Sequence, residues 1–138
     1  MARRWILIVD DDPLMLQVLE KFVHGPEIHV TTASDAKQAF IQARDLKPAL
    51  IISDMMMPGF YGTATLFELR KDPRTAAIPF VFVTGMTPAK AQGLLPPNDP
   101  KVRLLHKPIE WEKLAAIVEE LSGLKITLDA QAGPEAAP

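Results

Sequence analysis

The stretch ILIVDDDP, residues 6–13, sets three consecutive carboxylates, Asp10, Asp11 and Asp12, at the end of an apolar run. Like charges held that close repel, and one of them is normally pushed toward its protonated form. A divalent cation removes that penalty. Mg²⁺ in particular takes one or two carboxylates, keeps several waters and recruits phosphate oxygens. Three further groups end apolar runs: Asp54 after ALIIS, Thr84 after PFVFV, and Lys107 after VRLLH. A lysine offers a compact positive charge to a phosphoryl oxygen, and a threonine hydroxyl can donate to another. One carboxylate is left as a nucleophile, with an aspartyl phosphate as its covalent product. These are the parts of phosphoryl transfer, where catalysis is mostly positioning and charge neutralisation.

Each residue also has a plainer reading by itself. Asp12 before Pro13 suits a helix N-cap with proline at the first helical position. Asp54 alone reads as a turn aspartate, Thr84 as a strand-end residue and Lys107 as a surface lysine. Met55, Met56 and Met57 read as loop packing, because thioethers suit soft metals and this donor set is all oxygen. The conjunction at matched run ends carries the chemical reading.

The elements that must position these groups follow from periodicity. WILIV (5–9), IHVTT (28–32), ALIIS (49–53), PFVFV (79–83) and VRLLH (102–106) read as five strands. The central ones are nearly continuous in apolar character, as for strands covered on both faces. Helical spacing lies between them: Met15, Val18, Leu19 and Phe22 after Pro13; Ala36, Ala39, Phe40, Ala43 and Leu46 after Ser34 as N-cap; Leu114, Ile117, Val118 and Leu121 before Gly123 as C-cap. Residues 63–71 read as a shorter helix. A fourth, starting near Pro88, must be short, because GLLPPNDPK (93–101) holds three prolines. Fivefold strand–helix alternation predicts an α/β fold, a doubly wound parallel sheet with helices on both faces. Ligands in such sheets bind outside the carboxyl ends of the strands, near the switch in strand order. The four residue groups above all fall there.

The chain has 138 residues and is 48% hydrophobic, which suits one domain with a sizeable core. A net charge of −2 gives no global pull toward nucleic acid or an anionic membrane. There is no cysteine, which excludes disulfides and thiolate metal sites. The N-terminal apolar run ends in aspartates, unlike a signal peptide. No apolar stretch approaches the ~18–20 residues of a membrane span. A cytoplasmic protein is expected, with residues 1–123 as one domain and 124–138 as a disordered tail or truncated linker.

The segments ILIVDDDP, LIISDMMMPGFYG, VFVTG and LHKPI resemble, in order and spacing, the signature segments of response-regulator receiver domains of two-component signalling. The resemblance covers about residues 3–123. It implies a five-stranded flavodoxin-like receiver fold, order 2-1-3-4-5. It implies Asp54 as phosphoacceptor and Asp10 and Asp11 as the acidic pair for Mg²⁺, with Asp11 the more direct ligand. Asp54 and the backbone carbonyl of Met56 complete the metal's protein ligands. Lys107 would contact the phosphoryl group and pair with Asp54 in its absence, before a cis peptide to Pro108. Thr84 would be the switch hydroxyl. The implied partners are a histidine kinase or histidine phosphotransfer protein, a downstream protein or output domain, and a second copy of the chain as a homodimer, without direct nucleic-acid or membrane binding. The chain would turn over no substrate beyond its own aspartyl phosphate. Several positions depart from the usual pattern. Leu104 stands where an aromatic switch partner is often found, Tyr61 where an aspartate is frequent, and Met56 and Met86 flank the route of the hydrolytic water, which predicts a slowly decaying phospho-form. The alternatives are a pseudo-receiver that binds partners constitutively, and a haloacid-dehalogenase-type phosphatase with Asp10 as nucleophile and Asp12 as acid/base.

Overall fold

The computed structural model describes residues 3–57, 60–61, 63–96 and 98–128, with Met56, Met57, Phe60 and Tyr61 described by their backbone. Five strands form one parallel sheet: β1 (Arg4–Val9), β2 (Ile28–Ala33), β3 (Leu50–Asp54), β6 (Phe80–Thr84) and β7 (Val102–His106). Their order is β2-β1-β3-β6-β7, which is 2-1-3-4-5 when these five alone are counted. The helices are α1 (Pro13–Phe22), α2 (Ala36–Leu46), α3 (Thr63–Arg70), α4 (Pro88–Gly93) and α5 (Trp111–Ser122).

Strand alternation feeds two apolar layers. Ile6, Ile8, Leu50 and Ile52 face Leu19, Phe22 and Val23 of α1 and its end, and Leu114 and Val118 of α5. Leu7, Val9, Ile51, Phe80 and Phe82 face Ala39 and Ala43 of α2, Leu66 and Leu69 of α3 and Ala91 of α4. Both faces are covered, so consecutive residues of one strand are buried, which accounts for the unbroken apolar runs. Ala39 and Ala43 are fully buried and let that helix lie close to the sheet.

Local chemistry sets the helix ends. Asp12 caps α1, its side chain accepting from the Leu14 amide, with Pro13 in the first turn. Gly123, at φ 78°, closes α5 in the left-handed region. The cap of α2 is Asp35, one residue later than the expected Ser34. The Asp35 carboxylate accepts from Gln38 N at 2.8 Å, and the Gln38 side chain returns to Ser34 N. A carboxylate at a helix N-terminus also meets the macrodipole favourably, so it wins over the adjacent hydroxyl. Helix α4 has six residues, as the prolines after it require.

Two features differ from the sequence reading. A two-stranded antiparallel ladder, β4 (Met56–Met57) with β5 (Phe60–Tyr61), follows β3 where a plain loop was expected. Residues 124–128, expected to begin the tail, are packed instead. Leu124 and Ile126 belong to the α1/α5 core layer, and Thr127 N donates to His24 O at 2.8 Å. Alternate residues of an extended segment can bury against a surface as in a strand, a pattern too short to read as periodicity. Residues 129–138 of the expected tail lie outside the described residues. Among the described residues no helix is long and apolar enough to cross a membrane.

Candidate functional site at the carboxyl edge of the sheet

Strand register brings the expected residues together. Val9 of β1 pairs with Ser53 of β3, so Asp10 and Asp54 follow side by side. Asp54 pairs with Val83, which places Thr84 one residue beyond, and Thr84 pairs with His106, the residue before Lys107. Chain order reverses direction across the sheet between β1 and β3, so the cleft lies at the topological switch. Residues from positions 10 to 107 thus share one edge.

The carboxylates of Asp10, Asp11 and Asp54 converge, with one oxygen from each within 4.8 Å of the others. Asp10 is 3% exposed, Asp54 half-buried and Asp11 exposed. Burial is the main cause that raises the Asp10 carboxyl from 3.8 to about 6; the charges of Asp54 and Asp11 add to it, while the Asp12 amide and Lys107 oppose it. The Asp12 amide donates to Asp10 Oδ1 at 2.9 Å and fixes that side chain. Asp12's own carboxylate is turned away to cap α1 at Leu14 N, 3.0 Å, so it is not placed as the acid/base that the phosphatase alternative needs. An all-oxygen donor set with mutual repulsion and open access suits a hard cation such as Mg²⁺.

The remaining groups frame this cluster. Thr84 is 1% exposed. Its carbonyl accepts from Lys107 N at 2.7 Å, and its hydroxyl accepts from Met86 N at 3.0 Å. Lys107 is exposed, its charge bears on Asp10, and its peptide bond to Pro108 is cis. Behind Asp54, Met55 is fully buried in the α2/α3 layer and its amide donates to Val83 O at 3.2 Å, so it holds the strand end rather than a metal. Met56 opens β4 and is described by its backbone. Sequence reasoning missed the amides of Asp12 and Met86. Backbone donors leave no trace in residue identity, so nothing in the sequence marked them.

Residues 6–119 match the family model described as the response regulator receiver domain. Response regulator Rre1 of Synechocystis is 36% identical over 119 residues, 84% of this chain and 50% of Rre1. Response regulator PleD of Caulobacter vibrioides is 35% identical over 127 residues, 90% of this chain and 27% of PleD. The chain therefore spans half or less of these relatives. Among solved structures, the chemotaxis protein CheY4 of Vibrio cholerae superposes with a TM-score of 0.74 at 25% identity, over 87% of this chain and 99% of that one. Fold and acidic cleft define a signalling module of the doubly wound class. The chain belongs to the response regulator receiver domain family, the phosphoacceptor modules of two-component signalling.

Proposed function

We propose that Asp54 is the phosphoacceptor and that its phosphorylation switches protein contacts. The observation that carries this is the convergence of Asp10, Asp11 and Asp54 within 4.8 Å at the switch point, with Thr84 and Lys107 on adjoining strand ends. Asp10 is buried and fixed by the Asp12 amide, and Asp11 is the exposed member of the cluster. These observations support reading Asp54, half-buried at its strand end, as the attacking carboxylate. An Asp54 oxygen attacks phosphorus of a phosphohistidine on a histidine kinase or phosphotransfer protein. The P–O bond forms as the P–N bond breaks, and the electron pair leaves with the imidazole. Lys107 and the Thr84 hydroxyl meet the phosphoryl oxygens. Asp11, Asp54 and the Met56 carbonyl would hold Mg²⁺ directly and Asp10 largely through water. Bound Mg²⁺ supplies charge neutralisation for the incoming phosphoryl oxygens. The chain then turns over no other substrate, acts in the cytoplasm, and signals through a downstream protein, an output domain or a second copy of itself, with no direct nucleic-acid or membrane contact.

The test is incubation with acetyl phosphate with and without Mg²⁺, read by intact mass, beside Asp54→Asn. A single adduct that needs both Mg²⁺ and Asp54 is expected. An adduct retained by Asp54→Asn overturns the assignment, and no adduct from either a small donor or a phosphohistidine protein overturns the function.

A further inference from the structure

We infer that Ser53 is a positioning residue for Asp54: its hydroxyl holds the last carbonyl of β3 where the ladder to β1 has run out, and so fixes the backbone from which the phosphoacceptor side chain projects. The inference rests on the reading of Asp54 as phosphoacceptor.

Strand β3 reads Leu50, Ile51, Ile52, Ser53, Asp54, and Ser53 is 2% exposed. Its register partners are Val9 on β1 and Phe82 on β6. Both belong to the α2/α3 layer, as do Ile51 and Met55, its neighbours on the same face of the strand. A hydroxyl in such surroundings costs free energy unless it finds an acceptor. The acceptor is the carbonyl of Asp54, to which the Ser53 hydroxyl donates at 2.8 Å.

Strand geometry explains why that carbonyl takes a side-chain donor. Met55 N donates to Val83 O, on the β6 side. The Asp54–Met55 peptide is trans, so its C=O points opposite to its N–H, toward β1. A continued parallel ladder would bring the next residues of β1 to meet it. Here the last β1–β3 pair is Val9 with Ser53. Beyond that pair the chain of β1 turns into the cleft, where the Asp12 amide holds the Asp10 carboxylate at 2.9 Å. Sending Asp10 and Asp11 to the acidic cluster thus ends the ladder beside the tip of β3, and Ser53 takes its place. The peptide after Asp54 is held on both sides, by Val83 O and by the Ser53 hydroxyl. A nucleophile that must meet phosphorus in line loses rate when it is displaced by about 1 Å.

The test pairs carbon-13 carbonyl NMR of the full chain with phosphorylation kinetics. In Ser53→Ala the Asp54 carbonyl signal should move upfield, as on loss of a hydrogen bond. With Mg²⁺ and saturating acetyl phosphate, the rate constant for adduct formation, read by intact mass, should fall about fivefold, the contribution of one hydrogen bond. The acetyl phosphate concentration at half-maximal rate should stay the same, because a buried side chain meets no donor. Loss of folded chain would lower the yield of adduct and leave the rate constant, so a merely structural role gives a different pattern. Ser53→Thr keeps the hydroxyl and should retain both the carbonyl signal and the rate. In either variant, a lost carbonyl signal with an unchanged rate constant, or a slowed rate with the carbonyl signal in place, overturns the inference and leaves the phosphoacceptor reading standing. A wild-type chain that takes no adduct from acetyl phosphate or a phosphohistidine protein overturns that reading and the inference with it.

Discussion

Asp10 is 3% exposed and its carboxyl is raised from 3.8 to about 6, chiefly by burial. The folded domain therefore binds this proton more tightly than the unfolded chain does. Stability from the group is full below about pH 3.8 and is lost as the pH rises through about 6. The shift corresponds to about 3 kcal/mol. Asp10→Asn should accordingly be more stable than wild type above pH 6, by up to that amount, in Mg²⁺-free urea titrations. The difference should vanish by about pH 4. A difference that stays constant with pH would show that the charge is not its cause. Adding Mg²⁺ should narrow the gap at pH 7.5, because the cation offsets the repulsion in the wild type alone. The second expectation at this scale concerns the lifetime of the phospho-form. Met86 is partly buried on the apolar layer and Gly85 leaves open space beside it, so no polar side chain at either position orients water. Slow decay is expected, and Met56→Asn with Met86→Glu should shorten the half-life measured by intact mass. Unchanged decay would refute it.

At the scale of elements, Asp12 does two jobs with two groups. Its carboxylate caps α1 and its amide holds Asp10. Asp12→Ala should cost about 1 kcal/mol in urea unfolding and Asp12→Ser little, since serine also caps. A loss of equal size in both would place the effect in charge rather than in capping. This cap was legible in the sequence because Asp-Pro has one strong local meaning. The cap of α2 was not, since Ser34 and Asp35 are both good caps and only the dipole and Gln38 decide between them. All five sheet strands were legible as short β-rich runs, nearly unbroken in apolar character in the central ones, and the short α4 from its prolines. The β4–β5 ladder was not, because two-residue strands have no periodicity to read. The site was legible as a set of residue types at strand ends. What the sequence withheld is which atoms hold them: the Asp12 amide on Asp10 and the Met86 amide on Thr84.

Over the whole molecule, the packed unit runs past α5. After the left-handed turn at Gly123 the chain crosses the end of α1, burying Leu124 and Ile126 and bonding Thr127 N to His24 O. Gly25 lies under this strap. A Cβ there would sit 2.5 Å from the Lys125 carbonyl oxygen and 3.2 Å from Ile28 Cδ1. The first contact is with backbone, so a side chain at 25 must displace the strap itself. Ile126→Ala removes a buried side chain and should cost about 2–5 kcal/mol. Gly25→Ala should cost stability too, although alanine ordinarily stabilises a site it fits. Both changes act on one contact, so their costs should not add. Once Gly25→Ala has lifted the strap, Ile126 is already partly out of the core and its truncation should cost clearly less. Urea unfolding of the two single variants and the double variant closes the cycle. Full additivity would mean that the strap is packed independently of Gly25. A strong shortfall would show that residues 124–128 are held as one piece against the α1 end, so that the cooperative unit ends beyond residue 123.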